Sequence, residues 1–318
     1  MTSYAIVFDV GGNFIKSAIM TRQGQVLLDT VDSYPSRSHL EKPEMLDYLA
    51  NIVQLQASKV PDGGVVQRIG YAFPGPFDYE RGISYMSGIG KFDKLYGVSV
   101  GRELLMRLQG EESVQAWLAT DARIVFGNDA TLFALGEAAC GTASRYHRSI
   151  CITIGTGLGS AFIDRGVLVK EGTDVPLNGW LFNLPFGNGI ADDYISKRGI
   201  LAIAKGAGLH GMELDVKNLA DRARTGDKSC NEIFREFGRN LGLVLKGAVD
   251  AYRPEAIVIG GQIAKSAGLF IGEALKIINH RNLEIHAVEE TSLSTFAGIR
   301  NMVMEEQEER GDRVDDEP

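Results

Sequence analysis

Cysteine is scarce in this chain of 318 residues: Cys140, Cys151 and Cys230 form an odd, scattered set with no C-x-x-C pair. Such spacing fits a reducing compartment, here the cytoplasm, and supplies neither a disulfide framework nor a metal framework. The histidines (His39, His147, His210, His280 and His286) are equally dispersed, whereas a structural zinc needs its N and S ligands clustered. No apolar run approaches about 18 residues and no charged-then-apolar leader opens the chain, so neither a membrane span nor a secretory signal is expected. G-x-x-x-x-G-K-[ST], H-R-D, D-F-G and H-E-x-x-H are all missing. Their absence removes the P-loop NTPases, the protein kinases and the HExxH zinc hydrolases.

What is present is an ordinary globular balance, 44% apolar and 23% charged, in a chain long enough for two domains with their own cores. The formal charge of −8 disfavours a general nucleic-acid binder, but its location matters more than its size. Glu305 to Pro318 holds eight acids and two arginines, leaving only −2 for the rest. That end reads as a solvated acidic tail. Glycine is in excess, 38 residues or about 12% against a usual ~7%, with no collagen period to explain it. Turns and close backbone approaches are the expected use.

Tyr4 to Val10 is an apolar, β-branched run ending just past Asp9; Gly11-Gly12-Asn13 turns the chain; Phe14 to Met20 and Gln25 to Asp29 read as two further strands. The order returns at Ser149 to Ile154, the turn Gly155-Thr156-Gly157-Leu158-Gly159, Ser160 to Asp164 and Val167 to Val169. Setting Gly11 on Gly155 aligns Val10 with Ile154 and Ile19 with Ile163, the mark of an internal duplication or of two glycine hairpins alike by chance. GTGLG has the outline of a dinucleotide fingerprint, but it opens a strand where that motif must open a helix. Between and after the repeats the pattern predicts a helix at Pro43 to Leu55 and strands at Arg68 to Phe73 and Ala122 to Phe126. Helices follow at Ala130 to Cys140, Asp192 to Lys205, Val216 to Arg224 and Asn231 to Tyr252, then a buried strand at Ala256 to Ile259 and a last helix from Thr295 to about Glu308. Alternating strands and helices mean an α/β fold, with a short domain junction near 115–122.

Two constellations carry chemistry. Asp9 closes a strand against a glycine turn with Lys16 seven residues on. A carboxylate beside a phosphate loop suits hydrated Mg²⁺ and a lysine offsets phosphate charge; a strand-end aspartate capping its own turn reads equally well. Asn128-Asp129 heads the helix that follows a strand. An aspartate there can take a hydroxyl proton as the hydroxyl attacks phosphorus, or serve as a plain N-cap.

Together these segments resemble the ROK family of sugar kinases, within the actin/hexokinase-like ATPase superfamily. FDVGGNFIKSAI resembles the family's D-x-G-G-T-x-x-K phosphate loop, GYAFPGPFD its sugar-side P-G segment and GNDATLFALGEA its N-D-A helix. ITIGTGLGSAFIDRGVLVKEG resembles the second phosphate loop and IVIGGQI the adenosine-side turn. The resemblance covers nearly the whole chain. It implies two ribonuclease H-like (actin-like ATPase) domains with a cleft between them, at 1–120 and 121–294, the helix near 295–308 packing back on the first domain and an acidic tail at 309–318.

The same resemblance implies phosphorylation of a sugar hydroxyl, usually O6, by ATP with Mg²⁺. Asp129 would be the general base. Asp9, Gly11, Gly12, Asn13 and Lys16, with Gly155, Thr156, Gly157 and Gly159, would surround phosphate, Asp9 holding Mg²⁺ through water. Gly260, Gly261 and Gln262 would approach the nucleotide, and Pro74, Gly75, Asn128, Asn183 and Asp192 the sugar. A homodimer is implied by family habit, with no nucleic-acid or membrane partner. The chain departs from the family in three places. Asn13 replaces a threonine. The G-E-x-G-H motif is absent, Trp180 standing at its Glu and Asn183 at its His. The cysteine zinc knuckle is absent too, so no structural zinc is expected, and Asp192 takes the place of a sugar-binding Glu. An altered contact at O1/O2 follows, with Trp180 or Phe182 stacking on a sugar or packing into its own loop. The rival readings are a catalytically weak sugar-binding paralogue and a sugar-responsive transcriptional regulator. The regulator needs an N-terminal winged helix, for which a first strand at Tyr4 leaves no room.

Overall fold

The computed structural model describes residues 2–211 and 214–304. The expected acidic tail at 309–318, and residues 305–308 of the expected last helix, lie outside the described residues. The chain divides into two units: unit 2 is Phe133–Ser294, and unit 1 is the described chain on either side of it.

Unit 1 starts with β1 (Thr2–Val10), β2 (Phe14–Thr21) and β3 (Val26–Pro35), followed by α1 (Lys42–Ala57) and β4 (Gly64–Phe73). Two short strands, β5 (Phe77–Asp78) and β6 (Ile83–Ser84), precede α2 (Val100–Gln109) and β7 (Leu118–Asn128), after which the chain enters α3 (Asp129–Cys140). The sheet runs β3-β2-β1-β4-β7. β1, β2 and β3 form an antiparallel meander, while β4 and β7 run parallel to β1. The central strands are near-continuous apolar runs because both faces are covered: Ala5 to Phe8 and Ile69 to Phe73 are buried. One row of the register is aromatic. Phe8 pairs with Tyr71 and Tyr71 with Phe126, their rings stacking at 4.7 and 5.3 Å between centroids. Such stacks add to area burial and stiffen the strands just below the ends that carry Asp9 and Asn128.

Unit 2 repeats the plan with β8 (Arg148–Ile154), β9 (Leu158–Asp164) and β10 (Val167–Val169). Then come the short hairpin β11 (Pro185–Phe186) and β12 (Gly189–Ile190), α4 (Ala191–Tyr194), α5 (Lys197–Gly206), α6 (Val216–Arg224), α7 (Lys228–Tyr252), β13 (Ala256–Gly260), α8 (Ile271–Ile278) and β14 (Glu284–Ala287). Its sheet order, β10-β9-β8-β13-β14, matches that of unit 1, with the same antiparallel meander and two parallel strands. The core here is aliphatic along the sheet (Ile150, Ile152, Ile257, Ile259) and is closed by α7 through Phe234, Phe237, Leu241 and Leu245. That i, i+3/i+4 spacing is the buried stripe of an amphipathic helix. The final helix, α9 (Thr291–Met304), buries Phe296, Ile299 and Val303, and Ile299 lies over Gly70 of β4.

Several elements differ from the sequence expectation: β4 and β7 each begin four residues earlier than expected, at Gly64 and Leu118, and four further differences have a local cause or mark an element boundary. β3 runs on to Pro35 rather than ending at Asp29, since its pairing with β2 continues to Phe14↔Pro35. The helix expected over Asp192 to Lys205 is two helices, because Ile195 and the extended Ser196 interrupt it. α7 starts earlier, at Lys228, where Asp227 accepts the Cys230 N–H. α9 likewise starts at Thr291. Among the described residues no helix is long and apolar enough to cross a membrane.

Candidate active site

In unit 1 the carboxyl ends of β1, β4 and β7 share one edge of the sheet, where α/β folds bind ligands. The register aligns Asp9 with Ala72 and Phe73 with Asn128. Asp9 is also the direct cross-strand partner of Lys16 on β2, so a carboxylate and an ammonium group flank the Gly11-Gly12-Asn13 turn. That turn is gripped through its carbonyls. The Ser36 hydroxyl donates to Gly12 O, the Ser36 N–H donates to Asn13 O at 2.9 Å and the Gly11 N–H reaches Phe14 O at 2.9 Å. The Gly11 amide is spent inside the turn, and holding Gly12 and Asn13 by their oxygens leaves the Gly12 amide to serve as an anion donor.

Asn128 ends β7 and caps α3: its Oδ1 accepts the Thr131 N–H at 3.0 Å. The N-cap role therefore falls to Asn128, and Asp129 sits in the first helical turn. Asp129 Oδ1 accepts the Ala130 N–H at 2.9 Å and the Asn128 Nδ2 at 3.2 Å. Both bonds fall on Oδ1, and among the described residues none falls on Oδ2. Asn128 Nδ2 also reaches the Tyr79 hydroxyl at 3.1 Å, which donates to Phe73 O at 3.1 Å. Burial, with the Asp129 charge behind it, pushes the Tyr79 phenol well above the ordinary tyrosine range, so it stays a donor. Pro74 and Gly75 follow Phe73 directly, and a Cβ on Gly75 would lie 3.2 Å from the Tyr79 hydroxyl. Tyr79 is thus the residue that ties the P-G segment to Asn128-Asp129. Sequence reasoning missed it, and the only signal was its place a few residues after Pro74-Gly75.

In unit 2 the turn Gly155-Thr156-Gly157 joins β8 to β9, and β13 lies beside β8 with Gly260 opposite Thr153. Gly261 has φ +87°, and a Cβ on it would come within 2.4 Å of Ile154 O. Only glycine fits, and the tight approach sets Gly260, Gly261 and the exposed Gln262 next to the glycine loop. Asp192, implied as a sugar ligand, faces this loop: its Oδ1 accepts the Leu158 N–H at 2.6 Å and would meet a Cβ on Gly157 at 2.7 Å. Its Oδ2 pairs with Arg198. The Lys197 N–H donates to Gly155 O at 2.8 Å. Gly155 opens the turn, where a Cβ would meet nothing within 4 Å, whereas Gly159, expected in the turn, is already in β9 and pairs with Thr153.

The stretch that departs from the family pattern has its own support. Buried Ser160 of β9 donates to Gly179 O at 2.7 Å and accepts the Leu181 N–H at 2.8 Å, pinning the backbone on both sides of Trp180. The Trp180 side is 42% exposed, its ring 5.6 Å from that of Phe182, which packs against the unit 2 core. Asn183 is exposed and joins neither Asp192 nor the glycine loop by a hydrogen bond. The β11–β12 hairpin is closed by the edge-to-face pair Phe186–Tyr194 at 4.9 Å. The Tyr194 hydroxyl accepts the Asn188 N–H at 3.1 Å and Asp193 accepts the Ile190 N–H at 3.1 Å. An aromatic pair and two backbone bonds thus hold this loop. Among the described residues no group of three or more His, Cys, Asp or Glu could hold a metal ion.

Two sheets of identical order, each with a glycine turn between its first two strands, define the actin-like ATPase fold, which solved structures share. A ROK family glucokinase from Streptomyces griseus, determined in complex with glucose and AMPPNP, matches with a TM-score of 0.70 and 18% identity over 94% of this chain and 98% of that one. The chain belongs to the ROK family, whose sequence profile matches residues 5–173 and 187–304. The match skips 174–186, the stretch that contains Trp180, Phe182 and Asn183. The glucokinase of Thermotoga maritima is 24% identical over 83% of each chain. The xylose repressor of Bacillus subtilis is 22% identical over 87% of this chain and 69% of its own length.

Proposed function

We propose that this protein transfers the γ-phosphoryl group of ATP to a sugar hydroxyl, O6 of a hexose, an amino sugar or a glucoside, with Asp129 as general base. The observation that carries this reading is the division of labour on Asp129. Oδ1 is fixed by two donors, and Oδ2 has none among the described residues. A base needs that combination of fixed orientation and one open oxygen. The sugar hydroxyl gives its proton to Oδ2 as its oxygen bonds to the γ-phosphorus and the bond to ADP breaks. Asn128, oriented by Tyr79, and the Pro74-Gly75 backbone bind the sugar.

The phosphates are assigned to the Gly11-Gly12-Asn13 turn, through the amides of Gly12 and Asn13, with Lys16, and to Gly155, Thr156, Gly157 and Gly159; Gly260, Gly261 and Gln262 take the nucleotide. Open space at Gly155 and the carbonyl-side grip on Gly12 fit a phosphate ligand. Asp9 would hold Mg²⁺ through water, and the ion would offset phosphate charge. Asp192 is better matched to shaping the second loop than to touching sugar, since both its oxygens are engaged. Trp180, exposed on a pinned backbone, supports a substrate with a substituent on O1, an aromatic ring being a common sugar platform of apolar contact.

The test is ADP release with MgATP across hexoses, amino sugars, sugar acids and β-glucosides. Turnover on at least one sugar is expected, and Asp129→Asn should lower kcat about 10²–10⁴-fold with sugar binding retained. Undiminished kcat in that variant removes the proposed base. Sugar binding without turnover favours the second reading, a sugar-binding paralogue, which the altered Trp180 and Asn183 positions also suit. Free glucose turned over far better than any glycoside would remove the O1 substituent.

A further inference from the structure

A groove of about 550 Å³ in unit 1 is lined by five consecutive residues of β7, 122–126, and by the head of α2. β7 is the last strand of its sheet, so the groove runs along an edge of the sheet rather than across its ligand-binding end. Three arginines from three separate elements line it: Arg81 after β5, Arg102 in the first turn of α2 and Arg123 on β7. Among the described residues one carboxylate, Glu80, lines the groove against them. Ser99, at the N-cap of α2, makes no capping bond with its side chain, and Gly101 lines the groove beside it. Added Cβ atoms on Gly82 and Gly101 would meet the Phe126 ring at 3.2 and 2.9 Å, which shows how closely the helix head is drawn in. The rest of the wall mixes apolar side chains, Leu105, Met106 and Ile124 among them, with the aromatic Phe126 and the polar Gln109.

We propose that this groove binds the phosphate ester of a small organic molecule, Arg81, Arg102, Arg123 and the head of α2 surrounding the phosphate while Leu105, Met106 and Ile124 take the carbon skeleton. Arginine forks match phosphate oxygens bidentately, and a helix N-terminus adds oriented N–H donors. A lone phosphate would leave most of the volume empty, whereas pockets for small organic ligands have this size. Tyr79 lines the same groove and holds Asn128 through its hydroxyl. An ester that displaces Tyr79 therefore reorients Asn128 and Asp129, a coupling that, unlike the binding itself, rests on Asp129 being the base. The product of a sugar kinase is itself such an ester.

Binding to the full chain is read by calorimetry with glucose 6-phosphate and inorganic phosphate, and by hydrogen exchange with glucose 6-phosphate. We expect the double variant Arg81→Ala/Arg102→Ala to bind glucose 6-phosphate at least tenfold more weakly than the natural chain, with ADP affinity unchanged. We also expect slower exchange in 99–109 and 122–126 of the natural chain when the ester is added. Equal affinity of the two proteins for the ester, or protection absent from both segments, overturns the proposal. Inorganic phosphate bound as tightly as the ester removes the place for a carbon skeleton and overturns it too. Hydrogen exchange on the natural chain does not depend on how the variant folds. Turnover is not read in either measurement, so a failed kinase assay leaves this result standing.

Discussion

The two units close the same strand pair with a glycine turn, yet they support that turn by different means. In unit 1 the turn is held through its carbonyls by Ser36, and its charged neighbours, Asp9 and Lys16, come from the hairpin itself as cross-strand partners. In unit 2 the aspartate and the cation are brought in from elsewhere. Asp192, 34 residues beyond Leu158, accepts that residue's N–H and is itself paired with Arg198. Beneath the turns the contrast continues, with a stacked aromatic row under the strand ends in unit 1 and β-branched aliphatics in unit 2. A duplicated plan thus keeps strand order and the position of the turn, while the groups that charge and stiffen it are free to change.

The sharpest way to break this comparison is at Gly261. Its φ of +87° and the 2.4 Å approach to Ile154 O leave no space for a side chain. Gly261→Ala should lower unfolding free energy by about 2–4 kcal/mol. Gly155→Ala, whose Cβ meets nothing, should stay within about 0.5 kcal/mol. Urea titration of both variants checks this; equal losses would mean that the loop, rather than its contact with β13, sets stability.

Next in size is Asp192→Ala. With the Leu158 amide released, the KM for MgATP should rise about tenfold, the effect of ~1.4 kcal/mol, while the KM for sugar changes little. Steady-state kinetics with each substrate varied in turn gives the split. A rise confined to the sugar would return Asp192 to the sugar-ligand role that the family resemblance implies.

The smallest effect belongs to unit 1. Tyr79→Phe removes the hydroxyl shared by Asn128 and Phe73 O, and a single such bond is worth about 1 kcal/mol. A fall in kcat of roughly three- to tenfold is expected, with KM for MgATP unchanged. An unaltered kcat would show that capping α3 is enough to orient Asn128.

Much of this was legible in the chain. The hairpins around both glycine turns follow from short β-branched runs broken by glycine, and the helix start at Asn128-Asp129 from its place before an apolar helix, though that the cap is Asn128 and not Asp129 is seen only in the structure. β3 was read short because a register carried past Asp29 depends on its partner strand, not on its own composition. The break in the helix at Asp192 has no local cause, since Ile195 and Ser196 carry no strong breaking signal; the non-helical Ile195 and extended Ser196 accompany the close packing of the Tyr194 carbonyl against Gly199. Tyr79 was invisible for a similar reason: one tyrosine among ten gains meaning only from the strand ends it touches.

The sequence by itself determined the α/β class, the doubled hairpin and the glycine turns, all of them local patterns of period two and short turns. Tertiary structure alone decided that Tyr79 orients Asn128, that Asp192 and Arg198 serve the second loop, and that three arginines converge on one groove. Those contacts join residues far apart in the chain. Their geometry comes from strand register and core packing, which no local pattern encodes.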